Sequence, residues 1–258
     1  MRIVRKYIGL MMLLAFAFAV MAHAPRAYAD TEAFVRVVHG SPDAPAVDVY
    51  LNGRKAFEAL KFKTVSQYLP TRAGAYVVQV VPEGKSVKQG PVLISTTVTL
   101  QADKEYSVIA LGKLAKIATQ VLEDDNAIGD PAKAKVRLIH LSPDSPVIDL
   151  VVLAANSAQD DQKLFSDVTY KATTGYIELD PKMYSFVIRP ANTSANILDV
   201  RGLTLDAASV TTIYTFGLWS GTPKLVVGVS QDLRPQIMLP VTGENVYAEK
   251  RTRLRLTH

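Results

Sequence analysis

Two stretches of the chain say the same thing. Val35-Arg36-Val37-Val38-His39-Gly40-Ser41-Pro42-Asp43-Ala44-Pro45-Ala46-Val47-Asp48 recurs as Val136-Arg137-Leu138-Ile139-His140-Leu141-Ser142-Pro143-Asp144-Ser145-Pro146-Val147-Ile148-Asp149. Self-similarity at a fixed spacing makes the chain a tandem duplication and sets its architecture before any single residue is interpreted. The likeness continues past the opening motif. Tyr68, Tyr76 and Pro82 correspond to Tyr176, Tyr184 and Pro190, and Leu93, Thr99, Leu100 and Gly112 to Leu198, Thr204, Leu205 and Gly217. Spacing changes only between these sets, around 83–89 and 156–161, where surface loops absorb length differences.

Each unit has roughly a hundred residues, enough to bury a core of its own. Short runs rich in Val, Ile, Thr and Tyr (35–38, 47–51, 75–81, 92–100, 106–111 and 117–122) are separated by turn residues. Val47, Val49 and Leu51 alternate with Asp48 and Tyr50, the period of a strand with one buried face. Asn52-Gly53 then predicts a tight hairpin turn. No long segment has a convincing helical period; 55–63 comes nearest and leaves room for one helical turn. About seven strands per unit predict an all-β chain of two tandem immunoglobulin-like antiparallel β-sandwich domains, favoured over a related antiparallel barrel. The expected division is a signal peptide over 1–29, repeat 1 over 30–123, a linker over 124–133 rich in Asp, Asn, Gly and Pro, repeat 2 over 134–235, and a tail over 236–258.

The formal charge of +5 misleads. Arg2, Arg5, Lys6 and Arg26 precede Asp30, and Lys250, Arg251, Arg253 and Arg255 crowd the end. Between them the balance is near zero, so a nucleic-acid partner, which calls for a basic face built into the fold, is not expected. The N-terminal basic residues precede an apolar run over 7–22, and Ala27-Tyr28-Ala29 supplies a small-x-small cleavage pattern ending at Ala29. This predicts a cleaved secretory signal, and with it a secreted or extracellular location. Cysteine is absent, which removes disulfides, thiolate nucleophiles and thiolate metal sites.

The motif residues His39, Ser41, Pro42, Asp43, Pro45 and Asp48, with their counterparts His140, Ser142, Pro143, Asp144, Pro146 and Asp149, admit two readings. In the structural one, Pro42 presets a turn, Ser41 and Asp43 bond local amides, and Pro45 turns the chain back into a strand. His39 continues the face of Val35 and Val37 and pins the turn from the core edge. In the functional one, His39 and His140 bind a metal or act with Asp43 or Asp48 as acid and base. The structural reading is favoured, because lone buried histidines usually have a packing role. Ser41 and Asp43 also lie too close along one turn to flank an imidazole as a triad. No catalytic residue, cofactor or metal ligand is assigned. Most of Tyr50, Tyr68, Tyr76, Tyr106, Tyr170, Tyr176, Tyr184 and Tyr214 fall at strand positions repeated in both units and are expected to pack in the core with hydroxyls at the rim. Trp219 stands apart, without a partner in the first unit, and leaves a sugar-stacking site open.

Leu239-Pro240-Val241-Thr242-Gly243 resembles the recognition motif of sortase transpeptidases, which cleave between Thr and Gly and join the Thr to cell-wall peptide. Residues 244–258 depart from a sorting signal, since no apolar segment precedes the basic residues. Attachment to the wall, with sortase as a partner, is therefore an expectation resting on the five-residue motif alone.

Both copies of His-x-Ser-Pro-Asp-x-Pro-x-x-Asp, each preceded by a Val-Arg strand, resemble the bacterial domain-of-unknown-function family 4397, over about Ala33 to Leu122 and Val136 to Asp232. The resemblance implies an extracellular or envelope β-sandwich module, often in tandem, with no established activity and no catalytic residues to carry over. The expected function is a non-enzymatic role at the cell surface: adhesion, spacing, or binding of an extracellular ligand such as a cell-wall polymer. The alternatives are a carbohydrate-binding module and a metal-dependent hydrolase using His39 and His140.

Overall fold

The computed structural model describes residues 31–154 and 161–232. The expected signal peptide with Ala29 and the Leu239-Pro240-Val241-Thr242-Gly243 motif lie outside the described residues. The first unit contains β1 (Glu32–His39), β2 (Val47–Leu51), β3 (Arg54–Leu60), β4 (Leu69–Arg72), β5 (Gly74–Pro82), β6 (Ile94–Leu100), β7 (Glu105–Leu111) and β8 (Ala118–Asp124). The second contains β9 (Ala134–His140), β10 (Ile148–Val152), β11 (Gln162–Val168), β12 (Ile177–Leu179), β13 (Met183–Pro190), β14 (Leu198–Thr204), β15 (Ser209–Phe216) and β16 (Val226–Gln231). Four four-stranded sheets result, ordered β4-β1-β7-β8, β3-β2-β5-β6, β12-β9-β15-β16 and β11-β10-β13-β14. The second unit reproduces the strand order of the first, giving two β-sandwiches as the duplication predicts. No described helix is long and apolar enough to cross a membrane.

The all-antiparallel expectation needs one correction in each unit. β1 pairs parallel with β7, Val38 opposite Ile109, and β9 pairs parallel with β15, Ile139 opposite Tyr214. Every other strand pair is antiparallel. A parallel neighbour needs a long crossover, and the chain supplies it by building the second sheet between β1 and β7. Residues 55–63 are not helical. They form β3 and a turn, because β2 and β3 close a hairpin at Asn52-Gly53, whose φ values of 49° and 75° fit the left-handed turn that Asn-Gly favours.

Each sandwich has its own apolar interior. Val35, Val37, Val47, Val49, Val78, Val80 and Val108 are central to the first, and Val136, Leu138, Ile148, Leu150, Phe186, Ile188 and Ile213 to the second. A third cluster joins the units: Val38, Ile109 and Leu111 from the first pack with Ile139, Leu141, Tyr214 and Phe216 from the second. The units therefore do not close independently of one another. β1 and β9 are buried on both faces, one facing the sandwich interior and the other this shared core. Ring packing crosses the junction as well, with Phe62 edge-on to Phe216 at 6.0 Å.

Equivalent positions of the two units meet at this junction. Gly40 corresponds to Leu141, and a Cβ on Gly40 would lie 3.1 Å from Leu141 Cδ1 and 3.0 Å from the carbonyl oxygen of Ala110. Two leucines could not share this space, so one unit carries the large residue and the other none. Gly40→Leu should cost about 1–3 kcal/mol by overpacking, and Leu141→Ala about 2–5 kcal/mol by leaving a cavity. The double variant should be less destabilised than the sum of the two, because the added leucine fills the vacated space. Urea unfolding of the four proteins measures this coupling, and strict additivity would show that the two positions do not share one space.

Candidate functional site

The repeated motif sits where β1 runs out into the loop leading to β2, and where β9 runs out toward β10. His39 is fully buried. Its Nε2 donates to the carbonyl oxygen of Pro45 at 3.0 Å, closing the loop, and its ring meets Phe62 edge-on at 6.5 Å. His140 repeats this with Pro146 at 3.4 Å and Tyr170 at 6.5 Å. Its Nδ1 accepts the Ser142 amide at 3.4 Å and lies 2.7 Å from Thr215 Oγ1, so the ring proton belongs on Nε2. In the first unit Ala110 replaces Thr215, and His39 Nδ1 has no partner. Burial pushes both imidazoles below the usual histidine range, His140 to about 4.

The motif carboxylates are engaged with the backbone. Asp43 reaches away from its own turn: Oδ1 accepts the amide of Leu114 at 2.7 Å, 71 residues along the chain. Asp144 accepts the amides of Trp219 at 2.8 Å and Ser220 at 3.2 Å. The local bonding expected of Asp43 is thus replaced by a clamp on the loop that follows β7 or β15. Ser41 and Ser142 are buried with their hydroxyls unpartnered, so the local amide bond expected of Ser41 is not made. Asp48 accepts the amides of Ala59 at 2.9 Å and Gly84 at 3.1 Å and pairs with Lys55 at 2.8 Å. Asp149 accepts the amide of Asp167 at 2.9 Å and pairs with Lys163 at 2.6 Å. Ala59 and Asp167 both have positive φ, 53° and 55°, and the carboxylate holds each in that unfavourable conformation. Burial favours the neutral acid, but the paired lysine and the donated amides outweigh it, so Asp48 and Asp149 lie below the ordinary carboxylate range. Among the described residues no three His, Asp or Glu side chains gather as a metal-ligand set.

The clamped loops display one apolar side chain each. Leu114 and Trp219 stand two residues after Gly112 and Gly217, whose φ values of 86° and 87° turn the chain out of the sheet. They are 36% and 42% exposed. Trp219 therefore has a counterpart after all, which residue identity alone conceals. Five of the eight tyrosines, Tyr50, Tyr68, Tyr106, Tyr184 and Tyr214, are buried; Tyr76, Tyr170 and Tyr176 are half-buried, and Tyr68, Tyr170 and Tyr176 lie in connecting segments, not strands.

A second constellation, which the sequence reading missed, lies between the units. Arg36 and Arg137 are each 2% exposed. Arg36 Nη1 donates to Asp232 and Nε to Ser107 at 2.8 Å; Arg137 Nη2 donates to Asp124 at 2.6 Å and Nε to Thr212 at 2.8 Å. Each arginine is thus paired with a carboxylate at the end of the other unit's last strand. Asp124, which opens the expected linker, is also bonded by Tyr68 and Ser107 at 2.6 Å each. The guanidinium groups lie over tyrosine rings, Arg36 over Tyr68 at 4.6 Å and Arg137 over Tyr176 at 4.7 Å. Asn126 donates to the Tyr68 hydroxyl at 2.9 Å and accepts from the Tyr176 hydroxyl at 3.4 Å. Burial opposes both arginine charges, yet the paired carboxylates outweigh it and raise both pKa values. Burial likewise pushes Tyr68 and Tyr176 up, keeping the phenols protonated as donors.

Three surface depressions have volumes of about 620, 470 and 550 Å³, and no motif residue lines any of them.

Two outcomes follow from this geometry. Asp124→Ala leaves Arg137 and Tyr68 buried without their acceptor and should cost about 3–5 kcal/mol, whereas Asp43→Ala, at an exposed clamp, should cost about 1 kcal/mol; chemical denaturation at neutral pH ranks the two. The buried histidines make stability depend on acid. The unfolded chain binds a proton at each near pH 6.5, but folded His140 does not until about pH 4. Stability is therefore complete above pH 6.5 and is lost as the pH falls from there toward 4, by on the order of 3 kcal/mol for His140. His140→Gln should flatten the fall in urea midpoint across this window, and an unchanged slope would rule out its histidine origin.

Comparison with known proteins adds the following. No curated protein matches the chain. Among solved structures, the C-terminal domain of AlgF from P. aeruginosa is 22% identical, covering 39% of this chain and 98% of that one, at a TM-score of 0.29. A family CBM26 carbohydrate-binding module from Eubacterium rectale, solved in complex with maltoheptaose, is 12% identical over 80% of this chain and 98% of that one, at a TM-score of 0.25. A leucine-rich repeat protein from Bacteroides thetaiotaomicron is 13% identical over 76% of this chain and 27% of that one, at 0.20. At these scores none of the three carries an argument about this chain. Residues 33–151, from β1 through β10, match the family model described as Domain of unknown function (DUF4397).

Proposed function

We propose that the chain is a non-catalytic, secreted or wall-associated module whose two sandwiches act as one rigid body that displays side chains at the cell envelope. The observation that carries this reading is how the repeated motif is used. Its two histidines and four carboxylates are engaged in closing turns, clamping loops and holding positive-φ residues. A hydrolase would need a reachable nucleophile beside a base free to take its proton, yet Ser41 and Ser142 are buried and both imidazoles are enclosed. The extracellular location is supported by the N-terminal sequence, and wall attachment by residues 239–243.

A second reading, carbohydrate binding through Trp219, is favoured by one observation. The indole is 42% exposed on a loop whose backbone Asp144 fixes, and a rigidly mounted aromatic can stack on a sugar at low entropic cost.

Mass spectrometry of the protein recovered from cells producing the full chain tests the first reading. The expected product begins at Asp30 and is found in the medium or on the wall; an intact N-terminus in the cytosol would sink it. Esterase or peptidase activity of the purified chain that disappears in a His39→Gln, His140→Gln variant would overturn the non-catalytic assignment. On a glycan array, binding lost with Trp219→Ala but kept with Leu114→Ala would select the carbohydrate reading.

A further inference from the structure

The two units are related by reciprocal contacts, but their junction is not symmetric. On one side Gln120 of β8 sends its Nε2 across to the carbonyl oxygen of Lys171 at 3.1 Å, tying the units together. The matching pair on the other side is Gly228 and Lys63, since Gly228 faces Tyr214 as Gln120 faces Ile109. Gly228 has no side chain to send, and a Cβ there would lie 2.5 Å from Phe216 Cε2. The aromatic packing of the shared core thus keeps this position a glycine. What remains is a groove of about 470 Å³ between the units, walled by the 63–68 segment on one side and 228–231 on the other, with Arg36 among its lining residues.

Arg36 is not fully used. Asp232 takes Nη1 and Ser107 takes Nε, while Nη2 is buried with no hydrogen-bond partner among the described residues. A buried guanidinium nitrogen without an acceptor is costly. Lys63 adds a second cation to the lining, and Ser66, Gln67, Ser230 and Gln231 add neutral polar groups; among the described residues no carboxylate lines the groove, Asp232 standing behind it with Arg36 Nη1 and the Ser230 hydroxyl at 2.7 Å as its donors. We infer that this groove binds a small oxyanion, a carboxylate or phosphate group, between Arg36 Nη2 and Lys63. A planar guanidinium edge and a mobile ammonium together fit acceptor-only oxygens. The site is independent of where the chain resides and of any role for Trp219.

The test is an NMR titration of the full chain with sodium phosphate and, separately, sodium glucuronate at constant ionic strength, with sodium chloride as control. Saturable shifts should cluster at 63–68 and 228–231, with a Kd on the order of 1–10 mM. Val229→Glu sets a carboxylate on the groove wall at a position 40% exposed and should abolish binding. Lys63→Asn keeps a residue tolerant of the φ of 72° found there and should weaken binding at least about fivefold. Val121→Glu, the equivalent change on the closed side, should leave binding unchanged. Saturation by phosphate alone assigns a phosphate-bearing ligand, and by glucuronate alone a carboxylate. No saturable shift with either probe to about 50 mM, equal shifts with chloride, or Val229→Glu and Lys63→Asn both titrating like the parent chain would overturn the proposal.

Discussion

The two buried arginines are the constraint from which the rest of the architecture follows. Arg36 and Arg137 each stand in the middle of a first strand, on the face turned away from that strand's own sandwich; each unit gives its own arginine a hydroxyl, and the other unit gives the hydrogen-bonded carboxylate. Asp124 and Asp232, at the ends of the last strands, complete the partner unit instead. Arg36 Nε also comes within 3.7 Å of Asp124, and Arg137 Nη2 within 3.5 Å of Asp232, so two cations and two anions form one neutral cluster. A sandwich separated at this junction would lose the carboxylate that pairs its arginine and would expose half of an apolar cluster to water. The two sandwiches, each with a serviceable interior, thus share a third core and one ionic cluster.

Buried ion pairs are weak evidence for stability, because apolar replacements of similar volume are often as stable or more so. Their better-attested use is to fix register. The junction fits that role. Its apolar part, Val38, Ile109 and Leu111 against Ile139, Leu141, Tyr214 and Phe216, is adaptable in packing. Reciprocal hydrogen bonds from planar guanidinium groups are not, since each requires its carboxylate in one place. Asn126 adds to this by holding both tyrosines that cover the arginines, which makes the start of the connecting segment part of the junction and not a free tether.

The fold was largely legible in the sequence because duplication and period-two patterning are independent signals that agreed. Val47, Val49 and Leu51 alternate as a half-buried strand should, and the Asn52-Gly53 turn closes as its residue types require. The parallel pairing of β1 with β7 was not legible, because pattern reports which face of a strand is buried and says nothing of its neighbours. The arginines were missed for a related reason. An arginine alternating with valines reads as the solvent face of a strand, and only its recurrence at the same place in both repeats, followed two residues later by Val38 and Ile139, signals a second buried face. Of the motif, the histidine's place at the core edge could be read, as Pro45 and Pro146 lie within reach along the loop. The reach of Asp43 to Leu114 and of Asp144 to Trp219 could not, because it spans more than seventy residues.

The differences between the repeats are as informative as their likeness. Where the two copies meet at equivalent positions, identical large residues would collide, so Gly40 faces Leu141 at the apolar core; they also diverge where they do not meet, Gly228 standing at the position of Gln120 because Phe216 of its own unit leaves no room for a Cβ. A change that relieves crowding inside the junction also reshapes its rim, since Phe216 can occupy its place only if Gly228 gives up its side chain, and that loss opens a groove beside Arg36 Nη2. Fusing two copies into one chain frees each from the requirement that the other be identical. A symmetric pair must carry any recess twice or not at all; the duplicated chain bridges one side with Gln120 and keeps a glycine at the matching position on the other.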